Sequence, residues 1–208
     1  MLFRSKDKEK DEIRADIVAK MNELYKAEVQ AAFGAPATDK QLAQALACYM
    51  RTIISQTTPF DKYLKGDKTA ISESAARGWL VFNKAKCINC HVGSLLTDKQ
   101  FHNVGIGTKA EKPDVGRFTV TKIEKDTSAF KTPTLRDVAR SAPYFHDGSV
   151  ASLEEAVKMM LAGGIDNPFL DKVNLQKQDL AAGEVADLME FLKSLTESAV
   201  LTEPKLPQ

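Results

Sequence analysis

The sequence lacks a strong charge of either sign, a long apolar run and an internal repeat. Its 208 residues carry a formal net charge of +1 at pH 7, which argues against nucleic acid or an anionic membrane as a partner. No stretch approaches the roughly 20 consecutive apolar residues that a membrane-spanning helix needs. A chain of this length can hold one domain with a substantial core, or one domain with a helical extension.

Cysteine and histidine are also scarce, with three residues of each type. Two cysteines and one histidine stand together, because Cys87, Cys90 and His91 form a Cys-x-x-Cys-His run. This run is the attachment signature of a c-type haem. Two thiols three positions apart can each bond one vinyl group of the same porphyrin, and the histidine that follows can supply the proximal imidazole to the iron. The motif occurs once, which predicts one covalent haem c.

Other interpretations of the motif need features that the chain does not offer. A structural zinc site takes four cysteine or histidine ligands, usually in two spaced pairs, and only Cys48 remains outside the motif. A thioredoxin-like redox pair would follow a strand in a βαβ pattern, and no such pattern is visible. Cys48 lies in a helical pattern and is predicted to be a small, buried apolar residue.

Hydrophobic periodicity predicts a mainly α chain, and together with the haem motif it indicates a cytochrome c-like haem domain. Helical spacing extends from about residue 7 to residue 33, a capping-box pattern at Thr38 and Gln41 opens a second helix, and Ser72 can cap a third that leads to the haem motif. An amphipathic stripe follows near the end of the chain, at Val185, Leu188, Met189, Leu192 and Leu195. Residues 93–148 are predicted to wrap the haem as long irregular loops with few or no strands, a short strand at 118–121 being the one candidate.

The sixth ligand of the iron has a methionine candidate on a predicted helix. Ser152 begins a second capping-box pattern, and the helix after it carries an apolar stripe formed by Leu153, Ala156, Val157, Met160 and Leu161. Met160 lies on this stripe, whereas Met159 is turned away by about 100°. If a methionine binds the iron it should be Met160, and the alternative is a methionine that fills a gap in the core.

Two histidines are further candidates for the sixth ligand. His102 and His146 lie in predicted loops beside polar residues, and a hydrogen-bonded loop histidine is commoner than a ligand. The remaining possibility is an iron that has no sixth ligand. Such an iron could react with peroxide directly.

Several segments around the haem motif carry a family resemblance. They read PFDKYLKGD at residues 59–67, RGWLVF at 77–82, FHNVG at 101–105, DVGRF at 114–118, FKTPTLR at 130–136 and APYFHDGS at 142–149. Together with the haem motif they resemble the C-terminal half of the bacterial dihaem cytochrome c peroxidases, a superfamily that includes the MauG-type enzymes of methylamine utilisation. The resemblance covers roughly residues 24–196.

The resemblance implies a division of labour between two haem domains. In this family the N-terminal half holds the peroxidatic haem, where hydrogen peroxide is reduced. The C-terminal half holds the electron-transfer haem, which accepts electrons from a small donor such as a cytochrome c or a cupredoxin. The transfer haem of the peroxidases has His/Met ligation, and Met160 falls at the position of that methionine, where the MauG type has a tyrosine. A thioether ligand favours the reduced iron and raises the reduction potential.

Further site residues are implied at the edges of the haem. The family places a calcium ion between the two haem domains, and two of its backbone carbonyl ligands match Ser141 and Pro143. Arg117 and Arg136 are candidates to pair with haem propionates, because a guanidinium group matches a carboxylate with two parallel hydrogen bonds. A surface salt bridge is the alternative for each arginine.

These expectations define a domain plan and a location. Residues 1–70 are expected to form a helical segment that belongs to the preceding part of a two-haem protein and packs on the haem domain. Residues 71–200 are expected to be the cytochrome c-type haem domain, and residues 201–208 a flexible tail. Haem is joined to such motifs outside the bacterial cytoplasm, so the location is expected to be periplasmic. The N-terminus is charged and has no apolar core of an export signal, so we expect either that the signal has been removed or that the chain is a fragment of a longer protein, and we favour the fragment. A homodimer is a further expectation.

Two departures from the family pattern keep other functions open. After Met160 the sequence reads LAGGIDNP, which is closer to the MauG-type branch than the Gln-Leu-Gly segment of the peroxidases. The chain also has no counterpart of the family's first Cys-x-x-Cys-His run or of the catalytic residues near the peroxidatic haem, so no catalytic residue is predicted here. The alternatives to half of a peroxidase are a free-standing monohaem cytochrome and a MauG-type oxidase half.

Overall fold

The chain divides into two compact units. The structure, a computed structural model, describes residues 10–53, 55 and 57–197. Of the described residues, the first unit comprises 10–53, and the second comprises 55 and 57–197. The predicted tail at residues 201–208 lies outside the described residues. The assignment of residues 1–70 to a preceding haem domain, and of residues 71–200 to a haem domain of their own, stays a prediction.

Three helices form the described part of the first unit: α1 (Lys10–Leu24), α2 (Lys26–Phe33) and α3 (Asp39–Thr52). The predicted single helix over residues 7–33 is interrupted at Tyr25, whose φ and ψ are −116° and 36°. The predicted capping box of α3 is confirmed, since Thr38 and Gln41 exchange both hydrogen bonds. The Asn22 side chain links α1 to Ala37, two residues before α3, through two hydrogen bonds with the Ala37 backbone, of 2.7 and 2.9 Å.

The first unit has little core of its own. Among its described residues only Val29 and Ala37 are buried. Several apolar side chains of α3 and of the residue after it are exposed instead, namely Leu46, Tyr49, Met50 and Ile53. Cys48 is exposed as well, so the prediction that it is a buried apolar residue is wrong. The helical spacing around Cys48 indicated an apolar face correctly, but spacing does not reveal whether another element covers that face.

The second unit is built mainly from short helices: α4 (Pro59–Leu64), α5 (Glu73–Lys84), α6 (Phe118–Thr121), α7 (Leu153–Leu161) and α8 (Ala182–Ser194). Three 3₁₀ turns lie at Cys87–Asn89, Glu124–Asp126 and Val138–Arg140. One two-residue antiparallel ladder joins β1 (Phe101–His102) to β2 (Phe130–Lys131), with Phe101 opposite Lys131 and His102 opposite Phe130. The mainly α fold class with long irregular loops is confirmed. None of the helices in the described part of the chain is long and apolar enough to cross a membrane.

Helices α5 and α8 pack closely and form the main core. Gly78 permits their approach, because a Cβ atom at this position would lie 1.9 Å from the carbonyl oxygen of Asp187. Phe82 of α5 and Phe191 of α8 are almost fully buried and lie 5.1 Å apart between ring centroids. The predicted stripe of α8 faces this core, since Leu188, Met189, Leu192 and Leu195 are all buried. Helix α5 begins at the predicted cap, where Ser72 accepts a hydrogen bond from the backbone N–H of Ala75.

In the irregular middle of the chain, the structure differs from the predicted strand at residues 118–121. Residues 118–121 form the single turn of α6 rather than a strand, and Val120 on this turn is 83% exposed. The backbone N–H of Thr121 donates to the carbonyl of Arg117, and Lys122 closes the turn in the left-handed region at a φ of 56°. The β-branched residues here favour a strand only where a neighbouring strand and a buried face are present, and the turn has neither.

Candidate haem site

A cavity of about 470 Å³ opens in the second unit, with all three residues of the predicted motif, Cys87, Cys90 and His91, in its wall. Its volume lies in the range of cofactor sites, which is roughly 300–1,000 Å³. Most of the remaining wall is apolar, including Phe82, Leu135, Val138, Tyr144, Leu188 and Leu192. A large apolar disc with two thiol attachment points would therefore fit this cavity.

The motif enters the cavity directly from the end of α5. Helix α5 ends at Lys84, and Lys86 turns the chain in the left-handed region with a φ of 61°. The 3₁₀ turn at Cys87–Asn89 follows, and the backbone N–H of His91 donates to the Cys87 carbonyl at 3.0 Å. Burial raises the pKa of each motif thiol to about 11. Both thiols are therefore protonated at neutral pH, unlike the activated thiolate of a dithiol oxidoreductase.

His91 presents one ring nitrogen for coordination. Its Nδ1 lies 2.9 Å from the carbonyl oxygen of Leu96, and a carbonyl can only accept, so Nδ1 carries the proton and Nε2 keeps its lone pair. Burial lowers the pKa of His91, which keeps the imidazole neutral at neutral pH. A hydrogen bond from the far ring nitrogen to a carbonyl is the usual way to fix the tautomer and orientation of a metal-binding histidine.

Helix α7 contributes the second side of the candidate coordination pair. Ser152 caps it by accepting a hydrogen bond from the backbone N–H of Glu155 at 3.2 Å. All five residues of the predicted stripe, Leu153, Ala156, Val157, Met160 and Leu161, line the cavity. Met159 does not line it and packs against the core of the second unit. The helix therefore directs Met160, rather than Met159, towards the space that His91 faces.

The other two candidate ligands also reach the cavity wall, but in different ways. Both ring nitrogens of His102 are engaged, since Nδ1 lies 2.6 Å from Asp171 and Nε2 lies 2.8 Å from Asp98. His102 thus has no free lone pair to offer an iron. The exposed ring of His146 stacks on Phe130 with a centroid distance of 3.5 Å and an interplanar angle of 10°.

The two arginines predicted to hold propionates point to other groups. Arg136 pairs with Asp61 through two hydrogen bonds of 2.8 Å. The guanidinium of Arg117 lies 3.9 Å from the ring centroid of Phe101 and 3.6 Å from a carboxylate oxygen of Asp126. Neither arginine lines the cavity, so the propionate role stays a prediction that these contacts do not support.

Two lysines that the sequence did not single out do line the cavity. Lys86 donates a hydrogen bond of 3.0 Å to the Gln176 side chain, and Lys131 lies on β2. The position of Lys86 next to Cys87 could have indicated that this lysine lines the cavity. No feature of the local sequence indicates the same for Lys131. Asp171 also lines the cavity, and its pairing with His102 spans 69 residues, which no spacing rule reveals.

The residues matched to a calcium site lie together at the cavity wall. Ser141 and Pro143 both line it, and the peptide bond between Ala142 and Pro143 is cis. Backbone carbonyl oxygens are suitable ligands for calcium, and calcium binding here stays a prediction. Cys90 and His102, which line the cavity, form a cluster with metal-ligand chemistry together with Asp98, which does not line it. Its thiol belongs to the haem motif and its imidazole is occupied by two carboxylates, so these residues are not a separate metal site.

Comparisons with known proteins point to one family. The sequence model of the family described as di-haem cytochrome c peroxidase matches residues 3–69. The chain is 37% identical over 203 residues to the methylamine utilization protein MauG of Methylophilus methylotrophus, an alignment that covers 93% of this chain and 59% of that protein. It is 37% identical over 201 residues to the cytochrome-c peroxidase IdrP1 of Denitromonas iodatirespirans, with 80% of this chain and 53% of that protein covered.

A solved structure agrees with these sequence matches. The crystal structure of a MauG-like protein associated with microbial copper homeostasis superposes with a TM-score of 0.74 at 31% identity, covering 90% of this chain and 63% of that one. The chain spans somewhat more than half the length of the curated relatives it matches. The haem attachment run, the cavity it borders and these matches agree: the chain belongs to the dihaem cytochrome c peroxidase and MauG-like family.

Proposed function

We propose that this chain is the electron-transfer half of a dihaem cytochrome c peroxidase and carries one covalent haem c. One observation carries the proposal: Cys87, Cys90, His91 and Met160 line the same apolar cavity. The two thiols would hold the porphyrin, and His91 and Met160 would be the axial ligands of its iron. Haem iron with this ligand pair supplies one-electron chemistry at a comparatively high potential.

The residues of this chain have three tasks in that function. The Leu96 carbonyl holds His91 in the tautomer that presents Nε2. The stripe of α7 brings a thioether to the cavity, and a thioether favours the reduced state of iron. The mostly apolar wall would leave little water around a bound haem, which would limit solvent reorganisation when the iron gains or loses an electron. A half with these properties transfers electrons and leaves peroxide chemistry to a second haem.

Peroxide reduction and electron supply would depend on further parts of a larger protein. We propose that a preceding haem domain reduces hydrogen peroxide, and that electrons reach this half from a small donor such as a cytochrome c or a cupredoxin. The family match over residues 3–69 supports this, because it covers the segment that precedes the haem motif. The periplasm as location, calcium at Ser141 and Pro143, and a homodimer complete the proposal.

A MauG-type oxidase half is the second candidate, and two observations favour it. The match to a MauG protein at 37% identity is one, and the LAGGIDNP sequence after Met160 is the other. Against it stands the methionine at position 160, where the MauG type is expected to have tyrosine. A free-standing monohaem cytochrome is the remaining alternative.

The first experiment tests the axial ligands. The chain matured with haem is compared with Met160→Ala and with Met159→Ala as the matched control, by visible spectroscopy in both oxidation states. We expect a low-spin spectrum with a sulfur-to-iron charge-transfer band that Met160→Ala abolishes and Met159→Ala retains. A high-spin spectrum that Met160→Ala leaves unchanged would overturn the assignment and indicate an open iron.

A second experiment separates half of a peroxidase from a complete enzyme. The reduced, haem-loaded chain is mixed with hydrogen peroxide, and oxidation of its haem is followed by stopped flow. We expect the chain alone to be oxidised slowly and without turnover from a reduced cytochrome c. Rapid turnover by the isolated chain would contradict the proposal. The same assay on a protein that includes the preceding haem domain should show turnover, and a protein with both haems but no turnover would favour the MauG-type alternative.

A further inference from the structure

Two lysines of the cavity wall are exposed to solvent and therefore lie at its opening. They are Lys86 and Lys131. The ammonium group of Lys86 donates to the side-chain oxygen of Gln176 at 3.0 Å, and that of Lys131 donates to the Thr132 carbonyl at 3.3 Å. Both acceptors are neutral, so within the described part of the chain neither positive charge is compensated by a carboxylate.

The rest of the wall adds little negative charge. Asp171 is the one carboxylate among the described residues that line the cavity. It lies 2.6 Å from Nδ1 of His102, and Asn174 donates to it from its backbone at 3.1 Å and from its side chain at 2.9 Å. Its side chain is only 19% exposed. The described residues at the opening therefore present uncompensated positive charge to solvent and no exposed carboxylate.

The surrounding chain holds Lys86 in one place. This residue lies two positions after the end of α5, in the left-handed region with a φ of 61°, and precedes Cys87. Its backbone N–H donates to the Asn83 carbonyl, and its carbonyl accepts from the N–H of Asn89, both at 3.0 Å. The propionates of a haem c lie at the edge opposite its thioether bonds. They would therefore not neutralise a lysine that adjoins an attachment cysteine.

Gln176 connects Lys86 to the other side of the cavity. It belongs to the loop after α7, and the Gln178 side chain donates to its carbonyl at 3.1 Å. The backbone N–H of Gln178 donates to the Leu161 carbonyl at 2.8 Å, which keeps the loop beside the end of the helix that carries Met160. The bond between Lys86 and Gln176 thus joins the attachment side to the methionine side and keeps a positive charge at the opening.

Lys131 adds a second positive charge from β2. Pro133 and Pro143 are also exposed in the wall and carry no charge. The opening therefore combines cations with uncharged surface. Complexes that transfer electrons bury small interfaces and separate quickly, and charges at the rim of such an interface steer the encounter of the partners. The opening has the composition of an interface of this kind.

We propose that Lys86 and Lys131 form the docking rim for the electron donor of this chain, and that this donor is a small redox protein with carboxylates around its own redox centre. The inference rests on the proposed electron-transfer function and adds the surface and the charge of the partner. Complementary charge raises encounter rates by roughly 10- to 1,000-fold and loses its effect as ionic strength rises. The net charge of the chain is only +1, so the local charges at the opening decide which donor is favoured.

The test measures the second-order rate constant for reduction of the oxidised, haem-loaded protein by stopped flow at low and high ionic strength. The reductants are plastocyanin, a small copper protein with an acidic surface, and mitochondrial cytochrome c, whose surface is basic. In each reaction one electron leaves the metal of the donor, which is oxidised, and reduces the haem iron of this chain. We expect plastocyanin to react faster at low salt and to slow by about 10-fold as salt is added, whereas cytochrome c should show the opposite trend.

Charge variants locate the docking rim. Lys86→Glu and Lys131→Glu should each lower the low-salt rate constant with plastocyanin by about 5-fold, weaken its salt dependence and raise the rate constant with cytochrome c. Lys86→Gln should fall between Lys86→Glu and the unaltered protein. Lys65→Glu is the matched control, because it changes the net charge equally at an exposed residue of α4 that does not line the cavity. If Lys86→Glu does not take up haem, Lys131→Glu tests the rim by itself.

The possible failures are distinguishable. Equal rates with both donors at every ionic strength, or lysine variants that behave like Lys65→Glu, overturn this inference alone. Lysine variants with altered haem content or reduction potential but an unaltered salt dependence also overturn it, and assign the lysines to the haem propionates. A protein that dithionite reduces but neither donor reduces overturns the proposed electron-transfer function, and this inference with it.

Discussion

The guanidinium group of Arg136 holds the carboxylate of Asp61 with two parallel hydrogen bonds of 2.8 Å each. Only 11% of the Arg136 side chain and 14% of the Asp61 side chain are exposed. The Nε of Arg136 also donates to the Ser94 carbonyl at 2.6 Å, and Asp61 completes the capping box of α4 with Thr58. This pair therefore joins α4 to the loop behind the haem motif and leaves no donor pair free for a propionate.

The first prediction concerns the stability that this pair provides. Arg136→Gln should lower the free energy of unfolding of the haem-loaded protein by about 2 kcal/mol, because it leaves a largely buried carboxylate without its charged partner. Haem content and reduction potential should not change. Arg117→Gln is the control, since its guanidinium is more exposed and stacks on Phe101; the loss should stay below about 1 kcal/mol. Normal stability with an altered potential in Arg136→Gln would instead support the propionate role.

The second prediction concerns acid unfolding. Burial acts to raise the pKa of Asp61, but the hydrogen bonds of Arg136 and Thr58 outweigh burial and hold the pKa below the ordinary 3.8. Since the folded pKa is depressed, the stability from this group is present above pH 3.8 and is lost as the pH falls through the folded value. Asp61→Asn should therefore be less stable at neutral pH and should show a flatter decline in acid. Denaturant titrations at a series of pH values measure both effects, and parallel curves for the two proteins would contradict the prediction.

The third prediction concerns the contact between α5 and α8. Gly78→Ala should lower the free energy of unfolding by about 3 kcal/mol, because the new methyl group would overlap the Asp187 carbonyl and force the helices apart. Gly183→Ala is the matched control, since a Cβ at Gly183 meets nothing within 4 Å. That change should be neutral or stabilise α8 by up to about 1 kcal/mol. Equal stability of the two variants in urea would show that the helices can separate without cost.

The fourth prediction concerns haem attachment. Cys87→Ser and Cys90→Ser should each leave only one thioether bond, which the absorption of the alkaline pyridine complex of the haem detects as a shift towards longer wavelength. Cys48→Ser should give the spectrum of the unaltered protein, because Cys48 is an exposed residue of α3 outside the motif. A haem that is released by acidified organic solvent from the unaltered protein would contradict covalent attachment.

Short-range features of the fold could be predicted because the interactions behind them are local. Thr38, Ser72 and Ser152 cap helices as expected, since a capping side chain bonds a backbone N–H only three residues away. The stripe that brings Met160 to the cavity could also be predicted, because helical periodicity alone decides which residues share a face.

Features that depend on distant partners could not be predicted. Residues 118–121 have the composition of a strand, yet form a turn because no strand in the described part of the chain pairs with them. The exposure of Cys48 likewise depends on what covers α3 and not on its spacing. His102 was interpretable from sequence only as a loop histidine or a ligand, because its two carboxylates lie 4 and 69 residues away.

Residue types at fixed short spacings were enough to predict the mainly helical class, the family and a site of haem attachment, because each of these depends on neighbours along the chain. The residues that share the cavity, the pairing of Arg136 with Asp61, and the position of His102 between Asp98 and Asp171 became known from the folded chain alone. These three features have one cause in common. A hydrogen bond or a buried contact forms between groups that the folded chain brings within a few ångströms, and separation along the sequence does not set that distance.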